Sequence, residues 1–225
     1  MDNHNIALRD FLFGFISDNK KSLFEKIIEY RTRHITVVLE DIYQPHNASA
    51  VLRSADLFGV QDIHIIENRN RYEVNPDVAL GSSKWLTINK YNKAEDNTLA
   101  CFEELRRRGY RIVATTPHKD DVMLDELPVD QKTAVVFGTE LLGLSDVALD
   151  NADAFVKIPM YGFTESFNIS VSAALTLYNL TERMRKSSVR WQLSEEEKIL
   201  IQIEWAKSTI KKVDLLIEEF NRKTQ

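Results

Sequence analysis

The sequence predicts an α/β fold in which a parallel sheet is flanked by helices. Five short runs rich in β-branched residues recur along the chain: ITVVL (35–39), DIHII (62–66), RIVAT (111–115), TAVVF (133–137) and AFVKI (154–158). They are nearly continuous in apolar character, the pattern of strands covered on both faces. Stretches of helical period separate several of them, over 48–58, 97–108 and 169–184, and strands alternating with helices build parallel sheets.

The segments outside this alternation read as helix. Up to about Thr32, Leu8, Phe11, Leu12 and Phe15, then Leu23, Phe24, Ile27 and Ile28, recur at helical spacing. Near the other end, Ser194 followed by Glu197 fits a capping box. Ile199, Ile203, Ala206, Ile210, Val213, Ile217 and Phe220 then step alternately by four and three, an a/d seam over about three heptads. The simplest reading is one long helix laying this stripe on the N-terminal helices or on a second subunit. The expected organisation is a helical extension over 1–33, a central domain over 34–186 and a second helical extension over 187–225.

Composition narrows the function classes. The chain has 225 residues, 44% apolar and 28% charged, enough to bury a core. Its single cysteine, Cys101, excludes an internal disulfide and a cysteine metal cage. The start, MDNHNIALRD, lacks the basic-then-apolar pattern of a signal peptide, and no run approaches a membrane helix. A cytoplasmic protein without membrane contact is expected. The net charge of −5 argues against a whole surface that grips nucleic acid, although local basic patches can still do so. Four clusters qualify: Arg31 with Arg33 and His34, Arg106 to Arg108, Arg183 with Arg185 and Lys186, and Lys207 with Lys211 and Lys212. Each also reads as an ordinary solvated helix face.

Several chemistries find no support. GxGxxG and GxSxG are absent, and Gly81-Ser-Ser-Lys84 lacks the upstream glycine of a phosphate loop. The five histidines show no metal-ligand spacing, so no metal is expected.

The unusual polar residues instead follow three of the strands, where an open α/β sheet binds ligands. Asn47…Arg53 follows the first run; Phe137-Gly138-Thr-Glu140-Leu-Leu-Gly143-Leu-Ser145 follows the fourth; Ile158-Pro-Met160-Tyr-Gly162-Phe-Thr-Glu-Ser166-Phe167-Asn168-Ile-Ser170 follows the fifth. Singly, each has a plain reading. Asn47, Ser166 or Asn168 fits a helix cap, and the glycines fit turns. Arg53 fits a surface charge, but it sits among Ala50, Val51, Leu52 and Ala55, where an arginine calls for a polar or anionic partner.

Together the three segments resemble the signature motifs of the SpoU (TrmH-like) branch of the SPOUT RNA methyltransferases: an Asn…Arg motif, FGxExxGxS, and IPMxG…SxNxS. The resemblance spans roughly residues 34–186, and GSSKWL (81–86), ATTPH (114–118) and the helix with Trp205 add to it. One departure is visible: the third motif usually flanks its Asn with Leu and Val, where this chain has Phe167 and Ile169.

The resemblance implies a SPOUT-type fold with a C-terminal trefoil knot, which residue patterns alone would not have suggested. It implies methyl transfer from S-adenosylmethionine, without a metal, to a ribose 2′-hydroxyl of RNA. A tRNA guanosine is the expected target, at position 18 of the D-loop. By the same resemblance, Thr115, Thr116, Gly138, Ile158, Met160, Phe167 and Ser170 would line the cofactor pocket. Arg53 would activate the hydroxyl, with Asn47, Glu140, Ser166 and Asn168 as the other functional positions. That leaves Arg53 as a base or as a stabiliser of alkoxide or phosphate; a guanidinium that keeps its proton to a pKa of roughly 12 or above counts against the first. A homodimer is implied, with tRNA lying across Arg31, Arg33, Lys84 and the region of Arg183. The alternatives are the same chemistry on ribosomal RNA, a non-catalytic RNA-binding protein of the same fold, and an unrelated nucleotide-binding α/β protein. Only about 33 residues precede the first strand, too few for the added RNA-binding domain of several ribosomal RNA relatives, so tRNA is preferred.

Overall fold

The structure, a computed structural model, describes residues 3–72, 81–116, 122–139 and 142–224. In chain order its helices are α1 (Asn3–Phe13), α2 (Asp18–Ile28), α3 (Pro45–Leu57), α4 (Asn97–Arg107), α5 (Asp146–Asp150), α6 (Ile169–Lys186), α7 (Glu195–Thr209) and α8 (Val213–Thr224). Its strands are β1 (Ile35–Glu40), β2 (Asp62–Ile66), β3 (Thr87–Tyr91), β4 (Arg111–Thr115), β5 (Val122–Met123), β6 (Thr133–Phe137) and β7 (Ala154–Lys157). Two compact units result. One is Thr32–Trp191; the other joins the residues up to Arg31 with those from Gln192 onward. Among the described residues, no helix is long and apolar enough to cross a membrane.

The Thr32–Trp191 unit holds one seven-stranded sheet in the order β3-β2-β1-β6-β4-β7-β5, with every neighbouring pair parallel. All five runs read from the sequence are strands of this sheet. Every residue of β1, β2 and β6 is buried, because helices cover both faces. Val37, Leu39, Ile63, Ile65 and Val135 pack with Val51, Leu52 and Ala55 of α3 and with Ala173, Leu177 and Met184 of α6. Val38, Ile66, Ile112, Ala134 and Val136 face the other way, onto Cys101, Phe102 and Leu105 of α4 and Ala148 of α5. Strand alternation thus sorts one apolar run into two cores.

Two strands escaped the sequence reading. β3 reads TINKY and is only partly buried; as an edge strand it lacks the continuous apolar signature. β5 has two residues.

In the second unit, both stretches read as continuous helix are divided. The N-terminal one breaks after Phe13, where Gly14 intervenes and Ser17 caps α2 by accepting from the Lys20 N–H. The C-terminal one ends at Thr209: Ile210 is extended and Lys212 has φ 56. Near that end the Ser208 and Thr209 hydroxyls donate to the carbonyls of Glu204 and Trp205, local bonds that compete with helix propagation. The capping box at Ser194 and Glu197 is present, with Ser194 N–H donating to Glu197 Oε2 at 2.8 Å. The apolar stripe turns toward the N-terminal helices: Trp205 meets Phe24 edge-on with centroids 5.2 Å apart, and Phe220 lies 5.3 Å from Phe11.

Candidate active site

In a parallel sheet every strand presents its C-terminal end at the same edge, and ligands gather where the strand order reverses. Here β1 pairs β2 on one side and β6 on the other. The segments leaving β4, β6 and β7 at that edge wall a cavity of ≈ 390 Å³, within the usual range for small-molecule sites. Thr115, Thr116, Gly138, Ile158, Met160, Ser166 and Phe167 all line it. The structure therefore brings the second and third sequence motifs to one site. Its walls mix apolar groups, including Leu142 and Leu144, with the hydroxyls of Thr139, Ser166 and Ser172.

Gly138 is fixed by its own backbone surroundings. A Cβ there would stand 2.3 Å from the carbonyl carbon and oxygen of Gly143. Thr139 and Gly143 exchange both backbone hydrogen bonds, at 2.9 and 3.0 Å, and Gly143 turns the chain at φ 68. The loop is a pinched hairpin that only glycines allow. Glu140, within it, lies outside the described residues.

Just beyond the hairpin, Ser145 caps α5 by accepting from the Ala148 N–H at 3.1 Å. Ser145 is itself held from β1. Its N–H donates to Glu40 Oε2 at 2.9 Å and its hydroxyl to Oε1 at 2.7 Å, while the Thr98 hydroxyl reaches the same Oε1 at 2.6 Å. Glu40, only 2% exposed, was missed by sequence reasoning. The available signal was a carboxylate closing an otherwise apolar strand, since buried carboxylates are rare without partners.

The first motif joins the third through amides. Asn168 caps α6, accepting from the Ser170 N–H at 2.8 Å and the Ser170 hydroxyl at 2.5 Å. Its Nδ2 donates to Asn47 Oδ1 at 3.3 Å, and Asn47 Nδ2 donates to Gln44 Oε1 at 3.0 Å. Asn47 is buried in the first turn of α3, behind Pro45, and is not its cap. Ser170 belongs to this amide chain and is not among the cavity-lining residues.

Arg53 stands apart. It is exposed on α3, does not line the cavity, and has no hydrogen-bond or ion-pair partner among the described residues. The polar or anionic partner that the sequence calls for is absent among the described residues for a simple reason. Val51, Leu52 and Ala55 face the core, while residue 53 points to solvent.

The expected RNA-binding residues divide. Arg31 is 2% exposed, with its guanidinium 5.4 Å from the centroid of the Trp205 ring. Arg33 Nε donates to Asp62 Oδ1 at 3.1 Å. Arg183 donates to the carbonyls of Leu124 and Leu127 at 2.9 and 2.7 Å. These three are engaged by the fold, whereas Lys84, ending a 3₁₀ turn, is exposed. The Arg106–Arg108 cluster is likewise engaged, with Asp153, Glu104 and Asp62.

Away from the cavity, His64 on β2 is fully buried, with Nδ1 3.0 Å from the Tyr91 hydroxyl. Burial lowers its pKa to about 4, with Arg108 adding to the shift and Asp62 opposing it. Burial also pushes the Cys101 thiol up, so it is a poor nucleophile.

Comparison with known proteins agrees with this fold. The profile of the SpoU rRNA Methylase family matches residues 34–178. A tRNA (guanosine(18)-2'-O)-methyltransferase of Borreliella burgdorferi is 44% identical over 211 residues, covering 94% of this chain and 95% of that protein. The crystal structure of the A. aeolicus TrmH/SpoU tRNA modifying enzyme superposes with a TM-score of 0.77 at 30% identity, covering 87% of this chain and 98% of that one. The SpoU methyltransferase AviRb from Streptomyces viridochromogenes, in complex with the cofactor AdoMet, shares the fold with a TM-score of 0.58 at 22% identity, over 73% of this chain and 62% of that one.

Proposed function

The chain belongs to the SpoU rRNA Methylase family, and on that premise we propose that it transfers a methyl group from S-adenosylmethionine to the ribose 2′-hydroxyl of guanosine 18 in tRNA. The observation that carries the reaction class is the cavity walled by the second and third motifs. The target follows from the near full-length likeness to a tRNA (guanosine(18)-2'-O)-methyltransferase. Such a substrate goes with work in the cytoplasm.

The cavity fits an adenosyl ligand carrying an amino-acid tail. Ile158, Met160 and Phe167 supply apolar faces for a purine ring, and Thr115, Thr116 and Ser166 supply hydroxyls. When bound, S-adenosylmethionine supplies an electrophilic methyl carbon on a sulfonium. Asn47 and Asn168 hold the starts of α3 and α6 in register, and Glu140 is assigned to the hairpin that Gly138 closes. Arg53 acts electrostatically, on the alkoxide that develops at the 2′-oxygen or on a neighbouring phosphate, because a guanidinium is a poor base.

Arg53 reaches a cavity in a homodimer. Val171, Leu175 and Tyr178 form an exposed apolar stripe along α6, 44%, 39% and 59% accessible. Leu57, 75% exposed, stands on α3, one turn beyond Arg53 on the same face. A second copy covering this surface brings Arg53 into the interface, facing the partner's cavity. The reading keeps 34–186 as the catalytic part, with 1–33 and 187–225 as helical extensions. It includes a trefoil knot, supported by β6 and β7 lying between strands formed earlier in the chain.

The test is nucleoside mass spectrometry of tRNA incubated with the protein and labelled S-adenosylmethionine. The expected product is 2′-O-methylguanosine, absent with Arg53→Ala. A base-methylated product, or label only in ribosomal RNA, overturns the reading. An Arg53→Ala protein with unchanged turnover removes that residue from the mechanism, and a monomer by light scattering removes the shared site.

A further inference from the structure

The loop after β2, Glu67-Asn68-Arg69-Asn70-Arg71-Tyr72, has a clamped backbone and two exposed arginines. Asp41, just past β1, adopts φ 51, a left-handed conformation uncommon outside glycine. From there its Oδ1 accepts the N–H groups of Asn68, Arg69 and Asn70 at 2.8, 2.8 and 3.3 Å. Its carbonyl accepts from Asn70 Nδ2 at 2.8 Å. Glu67 closes the other side, taking the Tyr72 N–H at 2.7 Å and the Asn92 amide at 2.7 Å. Burial alone would raise the Glu67 pKa, but these bonds and the charges of Lys90 and Arg71 hold it below the usual carboxylate value. Asn68 ties the loop to α4, donating to Thr98 Oγ1 at 2.9 Å and accepting the Asn97 N–H at 3.1 Å.

The side chains of Arg69 and Arg71 donate no hydrogen bond to this clamp, and Arg71 acts on Glu67 only through its charge. Both residues are exposed, and neither has a hydrogen-bond or ion-pair partner among the described residues. An isolated surface arginine is normally just solvated, and it loses rotamer freedom when it binds. Here the backbone beneath both is already ordered, so less freedom remains to be lost. Placement adds a second argument. Ile66 registers with Glu40, and Leu39 with Phe137 of the cavity wall. The loop therefore leaves the sheet at the cavity's edge, two strand spacings or about 10 Å along. In a chain of net charge −5, attraction for a polyanion has to be local.

We propose that Arg69 and Arg71 form a preformed phosphate-binding patch that grips the backbone of the substrate RNA beside the methylation cavity. This inference rests on the RNA-methylating reading above. It assigns RNA contact to residues that the sequence clusters do not include.

The test is tRNA affinity of the full-length protein, measured by filter binding across a salt series. Wild type is compared with Arg69→Ala/Arg71→Ala and with the charge-matched Arg106→Ala/Arg107→Ala. The control pair ends α4, at the opposite edge of the sheet. The loop variant is expected to bind about tenfold more weakly near physiological salt, with the slope of log K against log salt reduced by about 1 to 2. Its melting temperature and S-adenosylmethionine affinity are expected to stay at wild-type values, and the control to bind within about twofold of wild type. Equal weakening in both variants assigns the effect to net charge and overturns the patch; unchanged affinity and slope in the loop variant overturn it too. Methylation with RNA affinity unaffected by the loop substitutions sinks the patch alone. Binding through the patch without a 2′-O-methylguanosine product sinks the methyl-transfer reading alone. A wild-type chain with no tRNA affinity sinks both.

Discussion

Glu40 ends an apolar strand, is closed off from solvent, and spends both carboxylate oxygens on Ser145 and Thr98. It touches no part of the cavity, yet it sets where the second motif hairpin stops and α5 begins, so we regard it as a positioning residue. Glu40→Leu removes both acceptor oxygens at similar volume and leaves the Ser145 N–H without its partner, a loss worth about 1–3 kcal/mol. The expected result is about tenfold weaker S-adenosylmethionine binding by calorimetry, with kcat reduced less than KM is raised. Cofactor affinity equal to wild type, in a protein with a lowered melting temperature, would reduce Glu40 to a stability role. Gly138 was legible in the sequence as part of a motif, although its reason, the Gly143 backbone lying against it, was not. Glu40 was not legible because its partner Ser145 lies far along the chain and meets it only in the folded sheet.

Elements were legible in proportion to how completely they are buried. β1, β2 and β6 are covered on both sides and read as unbroken apolar runs, whereas the edge strand β3 mixes Asn and Lys into its pattern. The capping box of α7 was legible because it is local; the breaks before α2 and after α7 were not, because apolar periodicity continues across them. The seam between α3 and α6 is the element-scale feature that matters for the site. Asn168 both caps α6 and donates to Asn47, so its loss combines a cap, worth about 1 kcal/mol, with a half-buried amide contact. A double-mutant cycle with Asn47→Ala and Asn168→Ala is expected to give a coupling of about 0.5–1 kcal/mol in urea unfolding. Strict additivity would mean that the 3.3 Å contact carries no energy and that the first and third motifs are positioned independently.

At the scale of the whole molecule, the strand order was hidden because five similar apolar runs carry no label for their neighbours. β6 ends up between β1 and β4 through pairing that no local pattern encodes. The same sheet gives the molecule a predictable acid response. His64 titrates near 6.5 in the unfolded chain and at about 4 in the fold, chiefly through burial. Between those values the unfolded state binds more protons, so stability rises with pH. The contribution is fully present above pH 6.5 and is lost as pH falls toward 4, about 3 kcal/mol in all at 1.36 kcal/mol per unit. Glu67, whose folded pKa lies below the ordinary carboxylate value of 4.5, loses its contribution only below that value, so its response is separated from that of His64 over the interval from about 4.5 to 6.5. Urea unfolding across that interval is expected to show wild type losing stability as the pH drops. His64→Gln, whose amide can still meet the Tyr91 hydroxyl, should lose markedly less. Equal slopes for the two proteins would assign the acid response to other groups. The cavity walls come from β4, β6 and β7, so the same substitution should leave S-adenosylmethionine affinity at neutral pH as it was, which separates the response of the sheet from that of the site.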